Sequence, residues 1–215
     1  MARPVLTSEQ RSEQERRQQR QLLRGMAQSI GEKGYSATTI ADVVRCARVS
    51  KSTFYAHFAD KEECFVALYS AATDNVLAAM ETADLEAGAA GVPWREHLRA
   101  VNRAYLQALT AGGPLTRALL VDVQTAGPAA QTMRRDVVDR YVRVMRRVAD
   151  GLRRGDPDLN KLSPSTVLGI VGGINEIVLE AIESGPVEAV AELDDVAAGL
   201  WAAVLTAAPA APSGP

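Results

Sequence analysis

The side chains best suited to chemistry lie close together near the N-terminus, between residues 50 and 58. Phe54 and Phe58 are four residues apart, which is the spacing of one buried helical face. A helix that begins at Lys51 would then turn its polar side chains outward: Lys51, Ser52, Thr53, Tyr55 and His57. Such short, donor-rich side chains can hydrogen-bond to base edges and phosphates when a helix lies in a DNA major groove.

Two short helices with a turn between them must position this segment. Apolar residues at helical spacing predict the first helix, with Thr39 as its N-cap: Ile40, Val43, Val44 and Ala47. Ser50 suits the N-cap of the second helix, because its hydroxyl can accept a hydrogen bond from a free backbone N–H group. The pattern predicts a helix-turn-helix whose second helix reads DNA.

This stretch resembles the DNA-binding signature of TetR-type bacterial transcriptional repressors. The resemblance covers roughly residues 12–70 and is carried by these residues: Gly34, Tyr35, Thr38, Thr39, Ile40, Val49, Ser50, Lys51, Ser52, Thr53, Phe54, Tyr55, His57, Phe58, Asp60, Lys61, Glu62 and Glu63. Two positions depart from the pattern. Arg48 stands where the family's turn usually has Gly, and Val44 stands where a small Ala usually lets the two helices approach. If the turn requires a positive φ, Arg48 costs about 1 kcal/mol.

The resemblance implies an all-α fold with an N-terminal three-helix helix-turn-helix DNA-binding domain and a C-terminal helical ligand-binding and dimerisation domain. We expect a flexible arm over residues 1–11, the DNA-binding domain over 12–70, the effector-binding and dimerisation domain over 71–207 and a disordered tail over 208–215. One helix is predicted over residues 12–33, with Gly34 as its C-cap. The family further implies a homodimer that binds a palindromic DNA operator as a repressor and responds to a small-molecule effector.

Ten residues are candidates for DNA contacts. Residues 51–53 occupy the first turn of the second helix and can reach bases or phosphates, whereas Tyr55 and His57 are better placed for phosphates. In the family, a lysine at the position of Lys61 often touches a phosphate. Some of these residues can cap helices as well as face DNA, and the two roles are compatible. The full set is Thr38, Thr39, Arg48, Ser50, Lys51, Ser52, Thr53, Tyr55, His57 and Lys61.

The charge distribution agrees with a DNA-binding N-terminal part. The whole chain has a net charge of −2, but residues 1–61 contain eleven Lys and Arg against six Asp and Glu, a net +5. Residues 62–215 then contain thirteen against twenty, a net −7. Because phosphate neutralisation supplies most non-specific DNA affinity, the basic part is the one expected to meet DNA.

The remaining chain is larger than DNA reading requires, and apolar periodicity predicts helices over residues 94–111 and 129–154. The resemblance implies a ligand pocket here, with four candidate lining residues that are equally compatible with a plain core: Trp94, Tyr105, Met133 and Tyr141. Residues 134–154 hold eight Arg against three Asp, which allows either an anionic effector or a solvated helical face.

Small residues are concentrated in the last two predicted helices and allow close backbone approach. Because the family dimerises through its last two long helices, we assign a dimer interface to Gly169, Gly173, Ile177, Ala198, Trp201 and Ala202. Packing within one subunit would produce a similar pattern.

The sequence lacks the motifs that are typical of several classes of enzyme and of metal-binding proteins. The chain has no P-loop, dinucleotide-binding or GxSxG motif and no His pair at metal spacing, so we predict neither an enzyme nor a metal or cofactor. A helical transferase or isomerase is a remote alternative. The N-terminus lacks a signal-peptide core. Residues 167–182 are apolar but are interrupted by Asn175, Glu176 and Glu180, so we predict a cytoplasmic protein without a membrane span.

The two cysteines, Cys46 and Cys64, both occur in apolar helical patterns. We interpret them as buried structural thiols. The alternative is a thiol-based redox-sensing regulator that uses both residues on the same scaffold.

Overall fold

The computed structural model describes residues 7–124 and 126–207, so residues 1–6 of the expected arm and the expected tail 208–215 lie outside the described residues. The described residues are helical and contain no strand. Nine α-helices are formed by them: α1 Ser8–Ala37, α2 Ile40–Ala47, α3 Lys51–His57, α4 Lys61–Ala90, α5 Trp94–Ala111, α6 Pro114–Leu120, α7 Pro128–Gly155, α8 Pro164–Ser184 and α9 Asp194–Thr206. Two 3-10 helices, Asp122–Gln124 and Val187–Leu193, join α6 to α7 and α8 to α9. The predicted all-α fold is confirmed.

Helix α1 begins four residues earlier than predicted. The side chain of Thr7 accepts a hydrogen bond from the backbone N–H of Gln10 at 3.3 Å, and the Gln10 side chain accepts one from the N–H of Thr7 at 2.9 Å. This reciprocal capping box satisfies two free donors at once, so helix formation starts at Ser8 rather than Ser12. At the other end Gly34 has a φ of 78° and interrupts the regular helix, in agreement with its predicted role as a C-cap.

The first compact unit contains the described residues up to Ala72 together with Pro114–Arg134. Its core is formed by fully buried side chains of α1 to α4, among them Leu22, Met26, Val43, Phe54 and Phe65. The predicted boundary near residue 70 left out the second segment. That segment joins the first unit through long-range hydrogen bonds, which sequence patterns do not reveal.

Tyr35 and Glu62 make these long-range bonds. The N–H of Tyr35 donates to the Asp122 carboxylate at 2.8 Å, and its hydroxyl donates to the carbonyl of Ala126 at 3.2 Å. The Glu62 carboxylate accepts from the N–H groups of Ala129 and Ala130 at 2.8 and 3.2 Å. The negative charge of Glu62 is also stabilised by the positive, N-terminal end of the α7 helix dipole.

The second unit contains Thr73–Gly113 and residues 135–207. Its core is centred on Trp201, the largest fully buried side chain, with Leu98, Val101 and Leu106 of α5 also fully buried. Salt bridges from Arg99 and Arg103 to the start of α9 connect α5 with that helix.

Helix α8 contains the apolar residues 167–182. It has 21 residues, and an 18-residue window within it has a mean hydropathy of 1.5, so by length and composition it could cross a membrane. The acidic interruptions do not by themselves exclude a span, because the helix begins at Pro164 and its apolar window holds no more than two charged residues. Since core helices of soluble proteins pass the same test, this helix by itself does not indicate a membrane protein. Only a third of the apolar window is buried within the chain.

Candidate nucleic-acid interface

The predicted helix-turn-helix is present in α2 and α3. Thr39 caps α2: its hydroxyl accepts from the N–H of Asp42 at 3.3 Å, and the Asp42 carboxylate accepts from the N–H of Thr39 at 2.9 Å. Ser50 caps α3 by accepting from the N–H of Thr53 at 3.0 Å. Phe54 and Phe58 are buried, as their spacing predicted. Local sequence signals therefore fix both helix starts and the buried face of α3.

The turn between these helices requires a left-handed residue. Arg48 has φ 55° and ψ 43°, and it is the one non-glycine residue with positive φ among the described residues. Its N–H donates to the carbonyl of Arg45 at 3.2 Å, which ends α2. The conditional prediction of a positive φ is confirmed, and the side chain of Arg48 is exposed.

The close approach between α1 and α2 occurs at Gly25. A Cβ atom added there would lie 2.6 Å from the carbonyl oxygen of Val43 and 2.8 Å from the Cβ of Ala47. This contact is separate from the approach of α2 and α3 that was considered at Val44, and Gly25 was not identified from the sequence. The available signal was a glycine in the middle of a predicted helix, where it is otherwise unfavourable.

Six of the ten predicted DNA-contact residues are exposed and three are half-buried. Tyr55 is 57% exposed, and its ring meets that of Phe54 edge to face at 5.5 Å. The Ser50 hydroxyl lies 2.7 Å from that of Ser52 and 2.8 Å from that of Thr53, so three hydroxyls are grouped at the start of α3. The exposed residues are Thr39, Arg48, Ser50, Lys51, Ser52 and Tyr55, and the half-buried ones are Thr53, His57 and Lys61.

Thr38 does not belong to this surface. Its side chain is only 1% exposed, and its hydroxyl donates to the carbonyl of Gly34 at 2.8 Å. The predicted DNA contact through this side chain is therefore wrong. The hydrogen bond of Thr38 instead stabilises the segment that connects α1 to α2.

Lys61 and His57 are partly engaged by the protein itself. The Nζ of Lys61 donates to the carbonyls of Tyr35 and Thr38, both at 3.0 Å, and lies 4.1 Å from the centre of the Tyr35 ring. Burial lowers the pKa of Lys61. Since an ammonium has three donors, one remains for a phosphate. The Nε2 of His57 lies 3.3 Å from the side-chain oxygen of Gln18, a contact that connects α3 with α1.

An ion pair fixes the start of α2 on α1. The ammonium of Lys33 contacts the Asp42 carboxylate, which also accepts from the backbone and hydroxyl of Thr39. The hydrogen bonds from Lys33 and Thr39 hold the pKa of Asp42 well below its usual range. The anchoring role of Asp42 was not predicted from the sequence.

The cysteines do not support a redox sensor. Cys64 is fully buried, and burial raises the pKa of its thiol to about 12. Because the thiolate is the reactive form, Cys64 is inert at neutral pH. Cys46 is half-buried. Among residues 7–124 and 126–207, no group of three or more His, Cys, Asp or Glu side chains could hold a metal ion.

The four candidate pocket residues are only partly brought together. The rings of Tyr105 and Tyr141 meet edge to face at 5.4 Å in the second unit. Trp94 lies eleven residues before Tyr105 on α5, about 16 Å along the helix axis, and Met133 belongs to the first unit. We therefore keep only the tyrosine pair as a joint candidate.

Two of the six predicted dimer residues are buried within the subunit. Trp201 is 1% exposed and Ala198 is also buried, so the interface prediction for both is wrong. Trp201 is the central core residue of its unit and cannot meet a partner. Gly169 and Gly173 are exposed, while Ile177 and Ala202 are half-buried. Three apolar residues that were not predicted for the interface are exposed on the same two helices: Leu168, Val196 and Leu200.

Comparison with known proteins places this geometry in a family context. Residues 22–68 match the family model described as bacterial regulatory proteins, tetR family. No curated protein sequence matches the chain. The fatty acid degradation regulator FadR from Bacillus halodurans shares its fold with 15% identity and a TM-score of 0.72, over 86% of this chain and 94% of that one.

Two further solved structures have the same fold. FadR from Bacillus subtilis, in complex with stearoyl-CoA, is 14% identical with a TM-score of 0.68, over 86% of this chain and 98% of that one. The TetR family transcriptional regulator PfmR from Thermus thermophilus is 21% identical with a TM-score of 0.60, over 96% and 100%. Residues 22–68 therefore match the helix-turn-helix region of TetR family regulators, and the chain shares the all-helical fold of solved TetR family transcriptional regulators.

Proposed function

We propose that this protein is a DNA-binding repressor that acts in the cytoplasm as a homodimer, binds a palindromic operator and responds to a small-molecule effector. The observation that carries the proposal is the accessible start of α3, where Lys51 and Tyr55 are exposed on a helix held in place by a capped turn and a buried phenylalanine face. The proposal assigns no catalytic activity to the chain.

The accessible residues of α3 have separate roles in this proposal. Lys51 and Ser52 reach base edges or phosphates from the first helical turn, and Tyr55 donates its hydroxyl to a backbone phosphate. Arg48, exposed at the turn, contacts an adjacent phosphate. Lys61 contributes its remaining N–H donor.

A dimer follows from the uncovered apolar surface of the last two α-helices. Leu168 on α8 is 47% exposed, and Val196 and Leu200 on α9 are similarly uncovered. Exposed glycines beside them let a second copy approach closely. A two-fold dimer presents two copies of α3, which is why a palindromic operator is expected.

The effector is proposed only as a small organic molecule. FadR from Bacillus subtilis was solved with stearoyl-CoA, but 14% identity carries the fold and not the ligand. The edge-to-face pair of Tyr105 and Tyr141 is our candidate contact in the second unit. Native mass spectrometry of the purified protein would reveal a retained ligand.

The DNA-binding proposal is tested by fluorescence anisotropy on an operator selected from a random duplex pool. The double variant Lys51→Ala and Tyr55→Phe should weaken binding at least tenfold. The slope of log K against log[salt] should decrease in magnitude by about 2, because each subunit of the dimer loses one lysine. Lys161→Ala removes an exposed lysine from the second unit and serves as the control. Unchanged affinity of the double variant would remove α3 as the recognition helix.

The dimer proposal has its own measurement. Leu168→Glu should shift the sedimentation coefficient to that of a monomer, because it places a charge in the apolar interface. Leu85→Glu changes an even more exposed leucine on α4 and should leave the dimer intact. If Leu168→Glu and Leu85→Glu had the same assembly state, the proposed interface would be contradicted.

A further inference from the structure

A groove of about 660 Å³ lies between α4 and α7 within the second unit. Asp74 pairs with Arg140 and Glu81 pairs with Arg147 across it. Both partners advance by seven residues, so the two helices run in the same direction here, and the pairs are about 10 Å apart along the axis. The ion pairs thus form two bridges over one continuous groove.

The arginines of this groove outnumber its carboxylates. Its walls carry four arginines, at positions 140, 143, 146 and 147, and three carboxylates, at positions 74, 81 and 150. Arg140 and Arg147 are occupied by Asp74 and Glu81. Within the described part of the chain, Arg143 and Arg146 have neither a hydrogen bond nor a salt bridge, and both are exposed. Two guanidinium groups are therefore available for a ligand.

The floor of the groove is apolar. Leu77 of α4 and Val144 of α7 line it and are otherwise buried in the subunit. The volume falls within the range of about 300–1,000 Å³ that small-molecule sites occupy. An apolar floor with two free cations above it suits an organic anion better than an inorganic ion alone.

The spacing of the two free arginines indicates which kind of anion they can bind. Residues three apart on a helix are neighbours on one face, with their Cβ atoms about 5–6 Å apart, so Arg143 and Arg146 can act on adjacent groups. Guanidinium groups bind phosphate oxygens in a bidentate manner, and an ammonium cannot match this geometry. A diphosphate offers two such groups side by side.

We propose that the groove between α4 and α7 is a binding site for an organic diphosphate, with Arg143 and Arg146 as the phosphate ligands and Leu77 and Val144 in contact with its apolar part. The site stands apart from the DNA-binding function, since the groove lies in the second unit. It also differs from the tyrosine pair considered above.

Isothermal titration calorimetry of the full chain tests the proposal, with ADP, inorganic pyrophosphate and inorganic phosphate as probes. ADP and pyrophosphate should bind more tightly than phosphate, because only they engage both arginines. Arg143→Gln and Arg146→Gln should each weaken ADP binding by roughly tenfold, since hydrogen bonds to charged groups are among the stronger ones. Arg154→Gln removes an exposed arginine of α7 outside the groove and should leave the affinity within about twofold.

A substitution that is expected to strengthen ADP binding separates a loss of ligand contacts from misfolding. Glu81→Gln removes the partner of Arg147 and leaves a third free guanidinium, so ADP should bind several-fold more tightly. Structural damage would instead weaken binding. Equal binding of ADP by the wild type and the double arginine variant, or no tightening in Glu81→Gln, would overturn the proposal. Displacement of ADP by a nonspecific DNA duplex would overturn it as well, because the groove would then be a DNA contact.

Discussion

Replacing Arg48 with glycine should stabilise the protein while it weakens DNA binding. Arg48 has φ 55° and ψ 43°, and a side chain in this region costs about 1–2 kcal/mol because the Cβ crowds the neighbouring carbonyl oxygen. Glycine removes this cost but makes the unfolded chain more flexible, which offsets about 0.4–1 kcal/mol. The expected gain in the free energy of unfolding is therefore roughly 0.5–1 kcal/mol.

Arg48→Ala is the matched variant, because it removes the charge but keeps the Cβ. Urea denaturation followed by circular dichroism should show the glycine variant above the alanine variant by this amount, and a melting temperature roughly 1–4 °C higher. If Arg48 of each subunit contacts a phosphate, both variants should lose the same DNA affinity, and the slope of log K against log[salt] should decrease in magnitude by about 1.8 for the dimer. A glycine variant no more stable than the alanine variant would refute the assignment of backbone strain.

The other predictions concern packing, acid stability and thiol reactivity. Gly25→Ala should lower the free energy of unfolding by about 1–3 kcal/mol in chemical denaturation, because the added Cβ meets backbone atoms of α2 at 2.6 Å. Gly151→Ala, whose added Cβ makes only an ordinary contact, should be neutral or stabilising by up to about 1 kcal/mol. Asp42→Asn should reduce stability at neutral pH. Since the pKa of Asp42 is lowered in the folded state, its contribution is complete above about pH 4 and is lost as the pH falls further, so wild type and variant should converge in acid. A thiol titration with an aromatic disulfide should modify Cys46 alone in the folded protein and Cys64 only after unfolding; rapid modification of both thiols would contradict the burial of Cys64.

Helix starts and the buried face of α3 could be predicted because their causes are local. Thr39 and Ser50 accept hydrogen bonds from residues three positions later, so a cap can be recognised from a few letters of sequence. The bounds of α5, 94–111, were also predicted correctly from apolar spacing and from the glycines that follow. By contrast, Thr7 and Gln10 form an equally local capping box that was overlooked, because no apolar periodicity follows it.

Burial and long-range pairing could not be read in the same way. Thr38 and Trp201 are among the least exposed residues, but whether a polar or aromatic residue of a helical protein faces inward depends on elements distant in sequence. The hydrogen bonds from Tyr35 span 87 and 91 residues. They join to the first unit a segment that the expected domain bounds placed in the second. The free arginines at 143 and 146 could be seen as part of a charged run, but only the pairing of Arg140 and Arg147 with α4 distinguishes them.

The equal spacing of the two ion pairs between α4 and α7 restricts how this chain can change its length during evolution. One residue inserted into α7 ahead of Arg140 would rotate everything after it by about 100°, which would break both pairs and turn the arginine row away from α4. Seven inserted residues would nearly restore the phase, with an error of about 20°. Homologous chains that keep the groove should therefore differ in length within their loops, such as residues 91–93 or 156–163, and not within this helix.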